Sequence, residues 1–208
     1  MRPFTRITGP AAPLLRANID TDVIIRIERL TGGADLGHHA FEALSYLPDG
    51  SPNQDCVFNK PRFAKPPTLL AGRNFGCGSS REGAVTALMA MGLRCVIAPS
   101  FGDIFFANCF RNGILPIVLP EDAIKRLAAQ SCNGDFTVDL EAQLVLTPSG
   151  ETISFPVDAL QREGLLEGLD EIGLTLKDES AIDAWQKVDR ANCPWVWRSG
   201  ITSEFVSS

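Results

Sequence analysis

"PTLLAGRNFGCGSSREGAVTALMAMGLRCVIAPS", residues Pro67 to Ser100, reads as a strand, a turn, a helix and a second strand. "PTLLAG" and "CVIAPS" are short uninterrupted apolar runs of the kind found in strands covered on both faces. Between them Ala84, Val85, Leu88 and Met91 recur at helical spacing. Downstream the alternation continues. "FGDIFFANCFRNG" predicts a helix stopping at Gly113, "ILPIVL" a strand, and "PEDAIKRLAAQ" a helix opened by proline and acids. Strands alternating with helices pair in parallel through crossovers, so the class is α/β with βαβ units.

Outside this block the pattern changes. "DFTVDLEAQLVLT" and "TISFPV" predict antiparallel strands, and "VDALQREGLLEG" and "DESAIDAWQKVD" predict helices. Upstream, Phe4 to Ile27 reads as extended and closes in "NIDTDVII". Glu28 to Gly37 reads as a glycine-containing loop, and "HHAFEALSYL" as one short helix. The expected organisation is a single domain over residues 1–190 followed by a tail, 191–208, with two tryptophans and no clear period.

Composition narrows the classes. The 208 residues are 45% hydrophobic and 21% charged with a net charge of −6, which suits a soluble domain. That balance disfavours a nucleic-acid groove or an anionic membrane surface. No run reaches the roughly 18 apolar residues of a membrane span, and the first residues lack a secretory core, so the expected location is the cytoplasm. The six cysteines include no CxxC pair, and most sit among apolar residues. They read as reduced, buried thiols that form neither disulfides nor a metal ligand set within this chain.

The turn "FGCGSSREG", Phe75 to Gly83, carries the chemistry-bearing residues. One reading is structural: Ser79 and Glu82 have the spacing of a capping box, and the glycines let the backbone turn. The other is functional. A helix start presents free amides and a positive dipole end, and Arg81 adds a forked donor for a carboxylate or phosphate. A serine hydroxyl held there ionises more readily. The run fails as a dinucleotide fingerprint at its third glycine, lacks the GK[ST] of a phosphate-binding loop, and lacks the GxSxG of a nucleophile elbow. His38 and His39 both precede the serines, contrary to the hydrolase order. Cys77 reads as a small hydrophobe rather than a nucleophile.

"NFGCGSSRE", "VIAPSFGDIFFANCFRNGILPI" and the upstream "NIDTD" together resemble the small subunit of 3-isopropylmalate dehydratase, the detached swivelling domain of aconitase-type hydro-lyases. The likeness is read from Phe4 to Trp185, with "VDLEAQ" and "GLDEIGLTL" included, and stops before the last twenty or so residues. The resemblance implies a layered β/β/α swivelling domain that works with a large subunit, on which a [4Fe-4S] cluster resides. The reaction is dehydration and rehydration of a small hydroxy diacid in leucine biosynthesis, interconverting 2- and 3-isopropylmalate. It implies Ser79 as the proton-abstracting base, Asp22 as an organiser of the site, and Ser80 and Arg81 as substrate-carboxylate contacts. Two departures stand out. Gly83 occupies the place of a common histidine in "SREHA", and Arg26 the place of a common proline after "DTD". The loop that follows is short and lacks an expected arginine, which Arg26 or Arg29 would replace as substrate contacts. These departures admit another hydroxy diacid, such as a methyl-substituted malate or maleate. A non-catalytic carboxylate-binding module is the alternative of a different class.

Overall fold

The computed structural model describes residues 1–30, 35–79 and 81–197. Its contacts part the chain into two compact units, Met1–Asp170 and Glu171–Ser208.

The first unit is built on two four-stranded sheets. Strands β2 (Ala11–Leu14), β3 (Thr68–Ala71), β4 (Cys95–Ala98) and β5 (Leu115–Val118) form a parallel sheet in sequence order. Helix α5 (Glu82–Met91) joins β3 to β4, and α6 (Asp103–Asn112) joins β4 to β5. These are the crossover units expected from the alternation of strand and helix. Strands β1 (Arg6–Gly9), β6 (Phe136–Asp139), β7 (Leu144–Leu146) and β8 (Thr152–Ser154) form an antiparallel sheet in the order β1-β6-β7-β8. Helix α7 (Glu121–Gln130) precedes β6, and α8 (Ala159–Glu167) follows β8.

Two cores explain the layering. Leu69, Ala71, Val96 and Ala98 face one side of the parallel sheet and pack with Val85 and Leu88 of α5 and with Phe41 and Phe58. Leu70, Ile97, Leu115 and Ile117 face the other side. They pack with Ile124 and Leu127 of α7 and with Phe136, Val138 and Val145 of the antiparallel sheet. Both faces of β3 and β4 are thus covered, which is why their sequences do not alternate. Strand β6 has one covered face and alternates. Truncating a fully buried residue such as Ile97 to alanine removes roughly 2–5 kcal/mol of stability.

Four expectations upstream of β3 and at its following turn are corrected. "NIDTDVII" is not extended throughout: Asp20 caps a short helix, α1 (Thr21–Ile24), by accepting from the Val23 amide at 2.8 Å. The expected loop from Glu28 contains most of a second short helix, α2 (Ile27–Leu30). "HHAFEALSYL" makes two four-residue helices, α3 (Leu36–His39) and α4 (Glu42–Ser45). Phe41 breaks them apart at φ +55°, because its buried ring stacks on Phe58 at 4.5 Å. Finally, the capping box does not form. Arg81 occupies the cap position of α5 without a side-chain cap, and Glu82 instead accepts from Asn112 at 3.1 Å.

The second unit holds α9 (Glu171–Leu176) and α10 (Glu179–Asn192). Trp197 folds back onto α10, donating its indole N–H to Asp189 at 2.7 Å beneath the Arg190 guanidinium. None of its described residues is buried. Among the described residues of the chain, no helix is long and apolar enough to cross a membrane.

Candidate active site

The turn between β3 and α5 is held from both sides by backbone. On one side the Gly76 amide donates to the Ile19 carbonyl at 2.7 Å, and the Thr21 amide to the Cys77 carbonyl at 3.0 Å. On the other side Phe75 donates to Ser100 at 3.0 Å, and Gly102 donates to Phe75 at 2.9 Å. Asp20 with Cys77, and Phe75 with Phe101, form parallel bridges, so the pairing of the parallel sheet continues past its strands into the turn. Asn74 and Asn18 add a side-chain bond at 2.9 Å.

Gly76 is the position that only glycine serves. Its φ is +70°, and a Cβ there would run into the Phe105 ring. That ring meets Phe75 edge-on at 5.4 Å and stacks with Phe101 at 6.5 Å. The aromatic cluster forms a rigid floor under the turn. Gly78 also takes a positive φ, +91°, and delivers the chain to Ser79.

Ser79 is exposed. It lines a cavity of about 220 Å³ with Thr21, Cys77, Arg81, Asp103 and Ile104. Its carbonyl accepts from the Thr21 hydroxyl at 3.0 Å. Arg81 pairs with Asp22: the guanidinium is only 18% exposed, while the carboxylate is 56% exposed. The arginine is therefore the anchored partner and the aspartate the outer one. Ser79, Arg81 and Asp22 are thus brought together, and Ser80 lies outside the described residues.

Arg26 and Arg29 belong to a second group. Arg29 grips Glu42 through two bonds, 2.9 Å from Nε and 2.6 Å from a terminal nitrogen. His39 Nδ1 approaches the same carboxylate at 3.4 Å. The hydrogen bond from Arg29 holds the Glu42 carboxyl below its ordinary range, and the same bond raises Arg29. Arg29 thereby ties α2 to α4. Arg26 is exposed and lines a cavity of about 620 Å³ with His38, His39, Glu42 and Tyr46. Neither arginine lines the cavity that Ser79 lines.

Gly83 stands where α5 meets α2. A Cβ at this position would lie 2.5 Å from Leu30 Cδ2, so the leucine fills the room that a side chain would need. This is the structural counterpart of the glycine that replaces the histidine common in the resembling family.

Sequence reasoning did not assign Thr21, Phe105 or Asn74 to the site. Thr21 lies inside the quoted "DTD", but its partner is 58 residues away and no local spacing reveals it.

Among the described residues no three His, Cys, Asp or Glu side chains converge to hold a metal ion. All six cysteines are free, and Cys56, Cys95 and Cys109 are buried. Burial pushes the Cys95 and Cys109 thiols far above their ordinary range, so both stay protonated.

A parallel sheet carrying a serine–arginine turn at the head of its first crossover helix, packed on an antiparallel sheet, defines an aconitase-type domain. Residues 1–122 match the Aconitase C-terminal domain family. Residues 171–198 match the C-terminal domain of the 3-isopropylmalate dehydratase small subunit, which extends the likeness beyond Trp185, where the sequence reading stopped. The chain belongs to the family of 3-isopropylmalate dehydratase small subunits. It is 49% identical to the protein of that name from Dinoroseobacter shibae over 94% of this chain and 100% of the relative. It is 51% identical to the one from Gluconacetobacter diazotrophicus, over 95% and 98%. The crystal structure of 3-isopropylmalate dehydratase from Methanocaldococcus jannaschii aligns with a TM-score of 0.62 at 26% identity, over 87% of this chain and 99% of that one.

Proposed function

We propose that this chain is the small subunit of 3-isopropylmalate dehydratase, a hydro-lyase of leucine biosynthesis, and that Ser79 is its base. The reaction takes water from 2-isopropylmalate and returns it to the neighbouring carbon. In this reading a [4Fe-4S] cluster on the large subunit supplies the Lewis acid for the substrate's hydroxyl and carboxylate. This chain closes over the substrate from the other side.

The observation that carries the residue assignment is an exposed Ser79 that shares one cavity with Arg81, whose outer partner is the exposed Asp22 carboxylate. Abstracting a weakly acidic C–H proton needs a strong base, and a serine alkoxide serves when water is excluded. Arg81 binds a substrate carboxylate by exchanging it for the outer, exposed Asp22 carboxylate. On dehydration the Ser79 oxygen takes the proton from one carbon as the C–O bond on its neighbour breaks and the hydroxyl leaves. On rehydration the hydroxyl bonds to the carbon that lost the proton, and Ser79 gives its proton to the carbon that lost the hydroxyl. Ser80 is proposed as a further carboxylate contact. Arg26 faces solvent and remains a candidate for the substrate's outer end, while Arg29 braces the segment that carries it. The reading places the protein in the cytoplasm with a large subunit and a small diacid as its partners, and with neither nucleic acid nor membrane.

The two bacterial relatives carry a single name. Neither a methyl-substituted diacid nor a purely binding role has an observation in its favour. The test is anaerobic reconstitution with the large subunit, iron and sulfide, following the absorbance of the unsaturated diacid. Turnover of 2-isopropylmalate that needs both subunits is the expected result. A reconstituted complex that turns over only smaller diacids, or none, overturns the reading.

A further inference from the structure

Helix α1 is four residues long, and its first two side chains both reach the turn, one buried and one exposed. Asp22 points to solvent and takes the Arg81 guanidinium. Thr21 is 1% exposed and sends its hydroxyl to the Ser79 carbonyl at 3.0 Å. The helix does not need that hydroxyl, because Asp20 already caps it through the Val23 amide. The Thr21 amide is also committed to the turn, donating to the Cys77 carbonyl at 3.0 Å.

One buried residue therefore holds the carbonyls of both Cys77 and Ser79, on either side of Gly78. Gly78 is at φ +91°, where the backbone offers little stiffness of its own. Fixing the Ser79 carbonyl restrains the backbone at Ser79, and with it the Cα–Cβ bond from which Oγ departs. We infer that Thr21 is a positioning residue: its buried hydroxyl holds the backbone from which the Ser79 oxygen reaches the substrate. The inference rests on the assignment of Ser79 as the base.

Losing the hydroxyl frees the peptide without removing the base or the carboxylate anchor. The consequence falls on kcat and spares KM. In the reconstituted complex, Thr21→Val is expected to lower kcat about 10- to 100-fold, the scale of a misplaced reacting group, with KM near that of the unaltered complex. Thr21→Ser, which keeps the oxygen, is expected to restore most of kcat. Should Thr21→Val fail to assemble, Thr21→Ala replaces it in the same assay, read against Thr21→Ser. An unchanged kcat in the hydroxyl-free variant overturns the inference, and so does a serine variant as slow as the valine one. Ser79→Ala is measured alongside. Full turnover in that variant overturns the base assignment itself. Its inactivity together with an unimpaired Thr21→Val complex removes only the role given to Thr21.

Discussion

Two arginine–carboxylate pairs stand on neighbouring short helices, and they are built in opposite senses. In the Arg81–Asp22 pair the cation is the more buried partner, 18% against 56%. In the Arg29–Glu42 pair the carboxylate is the more buried one, 22% against 41%, and two hydrogen bonds fasten it. In the first pair the outer partner is the anion, which under the proposed reading gives way to a substrate carboxylate. The second locks two helices together and presents little that a ligand could displace. Exposure of the partners, more than the presence of an ion pair, separates an anchor from a brace.

The sharpest test of this contrast is Ser79→Ala. It should reduce turnover of the reconstituted complex almost to nothing. Unfolding free energy should stay within about 0.5 kcal/mol, because the side chain is exposed and caps no helix. Arg81→Ala should come next, raising KM by roughly tenfold to a hundredfold, the worth of a hydrogen bond to a charged group. Saturation at unchanged substrate levels would return Arg81 to a purely structural role.

Gly83→His probes the border between the two regions. Its side chain has to displace the Leu30 side chain. A shift in the preferred size of the diacid's side group is expected, read from kcat/KM on a substrate series. Identical ratios would separate the α2–α5 contact from selectivity.

The brace should report through pH rather than rate. The Glu42 carboxyl is held below its ordinary value of 4.5, so its contribution to stability is present above pH 4.5 and is lost as pH falls through the lower folded value. Glu42→Gln should lower stability near neutrality and flatten the acid limb below pH 4.5 in urea unfolding curves. A limb as steep as before would assign acid sensitivity to other carboxylates.

Much of this was legible in the sequence, and for a physical reason. The strands of the parallel sheet are covered on both faces, so "TLLA" and "CVIA" could be recognised as apolar runs without knowing their partners. The crossover helices carry their own stops, Gly92 and Gly113, both left-handed. The segment from Asn18 to Ser45 was not legible. Its four-residue helices are too short to show a period, and Phe41 breaks the pattern for the sake of a ring stack with Phe58. At the site, Ser79 and Arg81 lie in one readable stretch. Thr21 and Asp22 reach them only through the fold, and the Ser79–Glu82 spacing misled because Asn112 claims the glutamate.

A link of a single residue joins β1 to β2. Pro10 alone separates Gly9, paired antiparallel with Phe136, from Ala11, paired in parallel with Thr68. Strand β1 is also the outermost member of its sheet, on the flank of β6. Were the leading nine residues clipped away, the amides and carbonyls of β6 would lie bare along an open seam that a strand from another molecule could stitch onto. The opening segment thus serves as the selvedge of its sheet, moving the raw edge one strand away from β6.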